Sequence, residues 1–173
     1  MMSMLVLADL CHAGVSFRAR EHYDQHHIKI DEDDYRYVGF SNTINLWYEV
    51  PYSYSLGLAI GPLLGMAMRE KAPENDRFGP TIRLFHAGIE YKFFPSGWFT
   101  GFFTRIGVGA SYLTSRGLYD DLRGNNVYLG LGWEIPFQHL GVAIEFAVRK
   151  SWLEEGLEID SMTPSMGFHF YPK

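Results

Sequence analysis

The sequence predicts an all-β protein, an eight-stranded antiparallel up-and-down transmembrane β-barrel. Three observations carry that expectation: a period of two in side-chain size, the smallness of the weaker face, and an alternation of short turns with long polar links. From Tyr54 the even positions run Tyr54, Leu56, Leu58, Ile60, Pro62, Leu64, Met66 and Met68. The odd positions run Ser55, Gly57, Ala59, Gly61, Leu63, Gly65 and Ala67. Successive side chains of a strand point to opposite faces, so these are two faces of one strand. A soluble sheet would set Lys, Glu, Thr and Asp against water. Gly, Ala and Ser suit a crowded interior instead, which leaves the large apolar row outside, in lipid.

Composition agrees. The 173 residues make one domain, with room for eight spanning strands of roughly 9–11 residues. Eighteen glycines and 16 % aromatic residues fit a tight lumen with interfacial aromatic girdles. Mean hydropathy is only -0.11, and no run approaches the ~18 apolar residues of a membrane helix, so spanning falls to strands. The net charge of -5 comes without a basic block and gives no ground for a nucleic-acid partner. Cys11 is the single cysteine and has no internal disulfide partner.

Carried along the chain, the alternation gives eight strands, near 14–23, 35–50, 53–69, 80–94, 98–114, 125–135, 139–152 and 159–171. The first sets Val15, Phe17 and Ala19 outward against Ser16, Arg18, Arg20 and His22. The fifth sets Ile106, Val108 and Tyr112 against Phe103, Arg105 and Gly107, and the seventh Ile144, Phe146 and Val148 against Ala143, Glu145 and Arg149. Tight turns fall at 51–53, 95–97 and 136–138, each opened by a proline. Longer polar links cover 24–34, 70–79, 115–124 and 153–156. Short turns on the periplasmic side and long loops outside are the outer-membrane arrangement. Pro62 and Pro164 inside strands each predict a bulge, because proline gives no ladder donor. The fourth strand loses phase near Leu84-Phe85, a further expected bulge or strand end. Residues 1–13 are expected to be the stump of a secretion signal or a short periplasmic tail, and 14–173 the barrel.

At this point the chain resembles the small eight-stranded outer-membrane barrels: the outer membrane protein A, X and W types, with the lipid A-modifying PagP and PagL barrels as architectural relatives. The last strand, with Met162, Met166, Phe168, Phe170 and Tyr171, resembles the alternating aromatic signal read by the barrel-assembly machinery. The resemblance implies the outer membrane of a Gram-negative bacterium, with outer-membrane lipid and lipopolysaccharide as surroundings.

The expected lumen charges are Arg18, Arg20, Lys92, Arg105 and Arg149 against Glu49, Glu90, Glu134 and Glu145. Near balance in a narrow barrel predicts paired side chains that close it, since isolated buried charges cost several kcal/mol. Near the outer mouth Tyr37, Leu63, Ile82, Leu84 and Leu113 turn apolar on the inward face. That is either an apolar cork or a cup for a small hydrophobic molecule, as the outer membrane protein W type implies. The outward charges Glu21, Arg83 and Lys150 are expected near the loop ends of their strands, where the lipid penalty is least.

No catalytic site is assigned. The PagL type implies a His-x-Ser pair, and no His here is followed two positions on by Ser. A PagP-like set could be sought only in His22, Asp24 and Ser111 or Ser115. His22, His26 and His27 with Asp31-Glu32-Asp33-Asp34 lack a fixed ligand spacing, so no metal and no cofactor is assigned. The expected role is structural or surface-interacting, with a closed lumen. The alternatives are uptake of a small hydrophobic molecule and acyl hydrolysis or transfer on lipid A.

Overall fold

Among the described residues nine strands and one short 3₁₀ turn build the protein, seen here as a computed structural model. The structure describes residues 14–50, 54–74, 76–96, 101–118, 121–138 and 140–170. The strands are β1 (Gly14–Ile30), β2 (Asp33–Val50), β3 (Tyr54–Gly61), β4 (Gly65–Lys71), β5 (Thr81–Phe93), β6 (Gly101–Ser115), β7 (Leu122–Phe137), β8 (Leu140–Leu153) and β9 (Glu158–Phe170). Adjacent strands pair antiparallel, β3 and β4 each lying between β2 and β5, and β1 also pairs with β9, so the sheet closes. β3 and β4 are two halves of one spanning strand, which makes the barrel eight-stranded.

The closure is staggered. Paired residues lead once around the wall from Arg18 through Asn45, Ala59, Gly88, Gly109, Asn126, Ser151 and Ile159 to Ile28, ten residues further along β1. That stagger tilts the strands and leaves a bore that side chains can fill.

The faces are inverted relative to a soluble protein. Phe40 is 72 % exposed and Val108 62 %, while Arg18 and Arg105 are fully buried. The apolar exterior ends upward at a polar ring of Gln25, Arg36, Glu70, Arg83, Asn125, Lys150 and Asp160, the level at which lipid tails give way to headgroups.

Four local expectations are corrected. Residues 24–34 are not a loop: β1 and β2 continue to a turn at Asp31 (φ 51°) and Glu32. Alternation persists there, with Asp24, His26, Ile28 and Ile30 inward and Gln25, His27 and Lys29 outward. The polar outward row belongs to a strand standing above the lipid in water.

The expected bulge at Pro62 is a break two residues wide. Ile44 faces Ile60 but Ser41 faces Gly65, and Gly61 faces His86 but Ala67 faces Ile82. Leu63 is therefore not part of an inner cup. It is 45 % exposed, with Leu64 beside it, because both residues loop out of the wall. Two extra residues preserve the phase, so Ala67 still faces inward.

No bulge forms at Leu84-Phe85 or at Pro164. β5 keeps Ile82, Leu84 and Glu90 on its buried face throughout, because the irregularity lies in its partner strand. At Pro164 the β1–β9 register is the same on both sides, and Phe146 faces it from β8.

Glu21 is the fourth. With β1 running to Ile30 it lies in mid-strand, outward, facing Asn42 and Met166. Asn42 meanwhile serves the break, its Oδ1 accepting the Leu64 N–H at 2.8 Å.

Turn positions moved less. β7 runs through Pro136 to Phe137, and Gln138 (φ 53°) begins the turn. The expected turn at 51–53, the N-terminal segment 1–13 and Trp98 lie outside the described residues.

Candidate functional site: the filled lumen

Because alternate residues of every strand point inward, the lumen is a stack of side chains from opposite walls. At the end bearing the β7–β8 turn, Glu134 (β7) is ion-paired with Lys92 (β5) and lies 2.7 Å from His169 Nδ1 (β9). A carboxylate only accepts, so Nδ1 donates to it, and Nε2 lies 2.7 Å from the Ser16 hydroxyl. The Lys92 ammonium sits 4.4 Å from the Phe94 ring centre and 4.3 Å from that of Phe103, a cation–π contact on each side.

Mid-depth belongs to two carboxylates shared among arginines. Glu145 (β8) pairs with Arg105 (β6), with Arg20 at 3.4 Å and with Arg18 at 3.7 Å, and also accepts the Tyr128 hydroxyl. Glu90 (β5) accepts from Arg105 Nη1 and from Asn45 Nδ2, each at 3.0 Å. Asn45 in turn accepts from Arg20 Nε at 2.9 Å. Isolated, these charges would be prohibitive in a low-dielectric bore; shared, each carboxylate offsets several guanidiniums. The small inward residues make the room. A Cβ on Gly167 would lie 2.5 Å from Arg20 Cγ, and one on Gly107 2.9 Å from Glu90 Cγ.

Above this lies a polar storey in which no ion pair forms among the described residues. Asp24 accepts from Ser41 and, at 3.1 Å, from Thr163. His26 meets Ser161 at 2.8 Å, and His86 meets Ser111 at 3.2 Å. Ser111 also bonds Asn126 and Ser151. Arg149 stacks over Tyr128 at 4.9 Å. A cavity of about 20 Å³ borders His22, Asp24, His26, His86 and Arg149, room for one water. Both ring nitrogens of buried His22 lack a partner.

The outer mouth is shut by an apolar core. Tyr37, Ile82, Leu84 and Leu113 pack there with Ile28, Ile159 and Phe78, the last reaching down from the link between β4 and β5. Tyr37 donates to the Gly79 carbonyl at 2.8 Å, and Tyr35 meets Phe78 edge-on at 4.8 Å.

Of the residues singled out from the sequence, Arg18, Arg20, Glu90, Lys92, Arg105, Glu134 and Glu145 come together in the two lower storeys, and Arg149 stands higher. Glu49 is on β2, with its side chain outside what is described. His22, Asp24, Ser111 and Ser115 form no hydrogen-bonded chain among the described residues. Asp24 is engaged by Ser41 and Thr163, Ser111 by His86, and Ser115 by the Phe78 carbonyl. Among the described residues no three His, Cys, Asp or Glu gather as metal ligands. His22 and His26 face inward, whereas His27 faces out to Asp34. Asn45, Tyr128 and Phe78 were not singled out in advance. For the first two, a polar side chain at an inward phase of its strand was the available signal.

No family model matches the chain, and no characterised protein matches it by sequence. Solved structures do. Ail, the attachment invasion locus protein of Yersinia pestis, superposes with a TM-score of 0.58 at 13 % identity, over 92 % of this chain and 100 % of that one. Neisserial surface protein A superposes with a TM-score of 0.57 at 14 % identity, over 92 % of this chain and 99 % of that one. At that identity the likeness is one of fold, and the chain is a closed eight-stranded barrel of the outer-membrane type.

Proposed function

We propose that this protein is a non-enzymatic barrel of a Gram-negative outer membrane, with a structural or surface-interaction role and a lumen closed to solutes. The single observation that carries the reading is the stack of inward side chains across the bore, from the Lys92–Glu134–His169 cluster to the apolar core under Phe78. What remains available for interaction is the outside: the projecting β1–β2 hairpin and the rim, in contact with lipopolysaccharide. The neighbours named for attachment and for the cell surface agree with that emphasis. Uptake of a small hydrophobic molecule would require the packed apolar core to part, and lipid A chemistry would require a triad that His22, Asp24 and Ser111 do not assemble. The outward aromatic row of β9 supports delivery by the barrel-assembly machinery.

Planar-bilayer recording tests this. The full chain, reconstituted and shown folded, is expected to give no steady conductance, and a cysteine placed at Glu32 is expected to label from outside intact cells. A sustained open channel, or labelling only after the outer membrane is breached, would overturn the reading.

A further inference from the structure

Exposed cations of the outer wall fall into two groups by position around the barrel. Toward β8, β9 and β1, and on β4, where Lys71 lies 3.8 Å from Asp34 and Arg69 pairs with Asp76, they are matched by acids. Lys150 lies 2.7 Å from Glu158 and 3.8 Å from Asp160, and Lys29 lies 3.5 Å from Asp160. Around the outer end of β6 they are not matched. Arg83 on β5, Arg116 just past β6 and Arg123 on β7 have no carboxylate within 4.0 Å of their guanidiniums among the described residues. Arg36, the other such arginine of the outer wall, stands apart on β2.

Register explains the clustering. Arg83 faces Thr114 and Tyr112 faces Arg123, so two arginines flank β6 on either side, and Arg116 follows it in sequence. Arg83 Nε donates to the Gly65 carbonyl at 3.2 Å across the break between β3 and β4, which fixes its guanidinium against the wall. Arg123 lies over the Tyr112 ring at 5.6 Å. Glu154, the acid beside Arg123, accepts that residue's backbone N–H instead.

Between these residues is a groove of about 240 Å³ lined by Met66, Thr81, Ile82, Arg83, Thr114, Ser115 and Arg116. Two guanidiniums and the hydroxyls of Thr81 and Thr114 are the donor set of a phosphate site, since guanidinium forks match phosphate oxygens. The groove opens at the headgroup level. Directly below it the wall is apolar, with Phe85 and Tyr112 in edge contact at 6.4 Å. Charge above hydrocarbon is the profile of a phosphorylated lipid lying on the wall.

We propose that this arc binds a phosphate group of a phosphorylated glycolipid of the outer leaflet, with its acyl chains running down over Phe85 and Tyr112. The inference rests on the outer-membrane reading and names the lipid contact within it. Inorganic phosphate shares the headgroup chemistry but lacks the chains.

Native mass spectrometry of the folded full chain, with lipid A as the probe, tests it. Wild type is expected to retain lipid A at least about tenfold better than the R83Q/R116Q/R123Q variant. It should retain dephosphorylated lipid A no better than that variant does, and a K29Q/K150Q variant should match wild type. Equal retention by the arginine variant, or of the dephosphorylated lipid by wild type, would overturn the arc while leaving the outer-membrane reading intact. Displacement of lipid A by millimolar inorganic phosphate would replace the lipid by a free anion and overturn it too. Failure of folded wild type to retain lipid A in either form would count against the outer-membrane reading itself.

Discussion

Glu145 is the residue on which the middle of the lumen depends, because Arg18, Arg20 and Arg105 all reach it. Its replacement by Gln leaves fully buried guanidiniums short of a countercharge, at an expected cost of about 3–5 kcal/mol. The urea midpoint of the refolded barrel and the heat-modifiability of its gel band measure that loss. Arg18 makes a useful contrast. Its one carboxylate is 3.7 Å away and its guanidinium nitrogens lack a hydrogen-bond partner, so Arg18→Met should cost well under half as much. His22 should behave in the opposite sense to Glu145. Both its ring nitrogens are buried without partners, and removing an unsatisfied polar group relieves a penalty of about 1–3 kcal/mol. His22→Leu is therefore expected to hold or raise the urea midpoint; a clear fall would mean that the adjoining cavity holds a water or ion on which His22 depends.

At the scale of elements, the break between β3 and β4 gives the sharpest test of phase. Deleting Leu63 alone turns every residue of Gly65–Lys71 to the wrong face, sending Met66 and Met68 into the bore and Ala67 into lipid. That variant is expected not to fold. Deleting Leu63 and Leu64 together restores one uninterrupted register and should still give a barrel by the gel-shift assay, although it is the larger deletion. The elements were legible in the sequence wherever lipid dictated their outward row: Leu56, Leu58, Ile60 and Leu129, Leu131, Trp133 announce their strands. Residues 24–30 were not, because their outward row is Gln25, His27 and Lys29, and a strand in water resembles a loop in composition. Leu63 was misplaced because period-two counting cannot see an even-numbered insertion. The proline at 62 marked where the ladder fails but not by how many residues. Which acid meets which base was likewise hidden: Glu145 and Arg20 are joined across the bore, a relation set by stagger and absent from spacing along the chain.

For the molecule as a whole, the proposed role puts the working part on the outer surface, in line with the expectation of zero conductance and with the arginine arc proposed around β6. The two edges of the lumen differ in kind: charged and hydrogen-bonded toward the periplasm, apolar under Phe78 toward the outside. Such a plug does not need the membrane to be watertight. Its lower half is held by ion pairs and its upper half by burial, so no one substitution in either half should open a pore, and the double variant Glu145→Gln with Phe78→Ala is the better attempt at one.

The ladder between β1 and β9 has a consequence in time. The sheet can close only when β1 and β9, the two ends of the strand order, are both in place, and the Ser16–His169 bond lies in that seam. Until then the growing sheet carries two raw margins, each a row of unpaired amides that would template aggregation. Losing residues from β9 would therefore leave β1 without its closing partner as well.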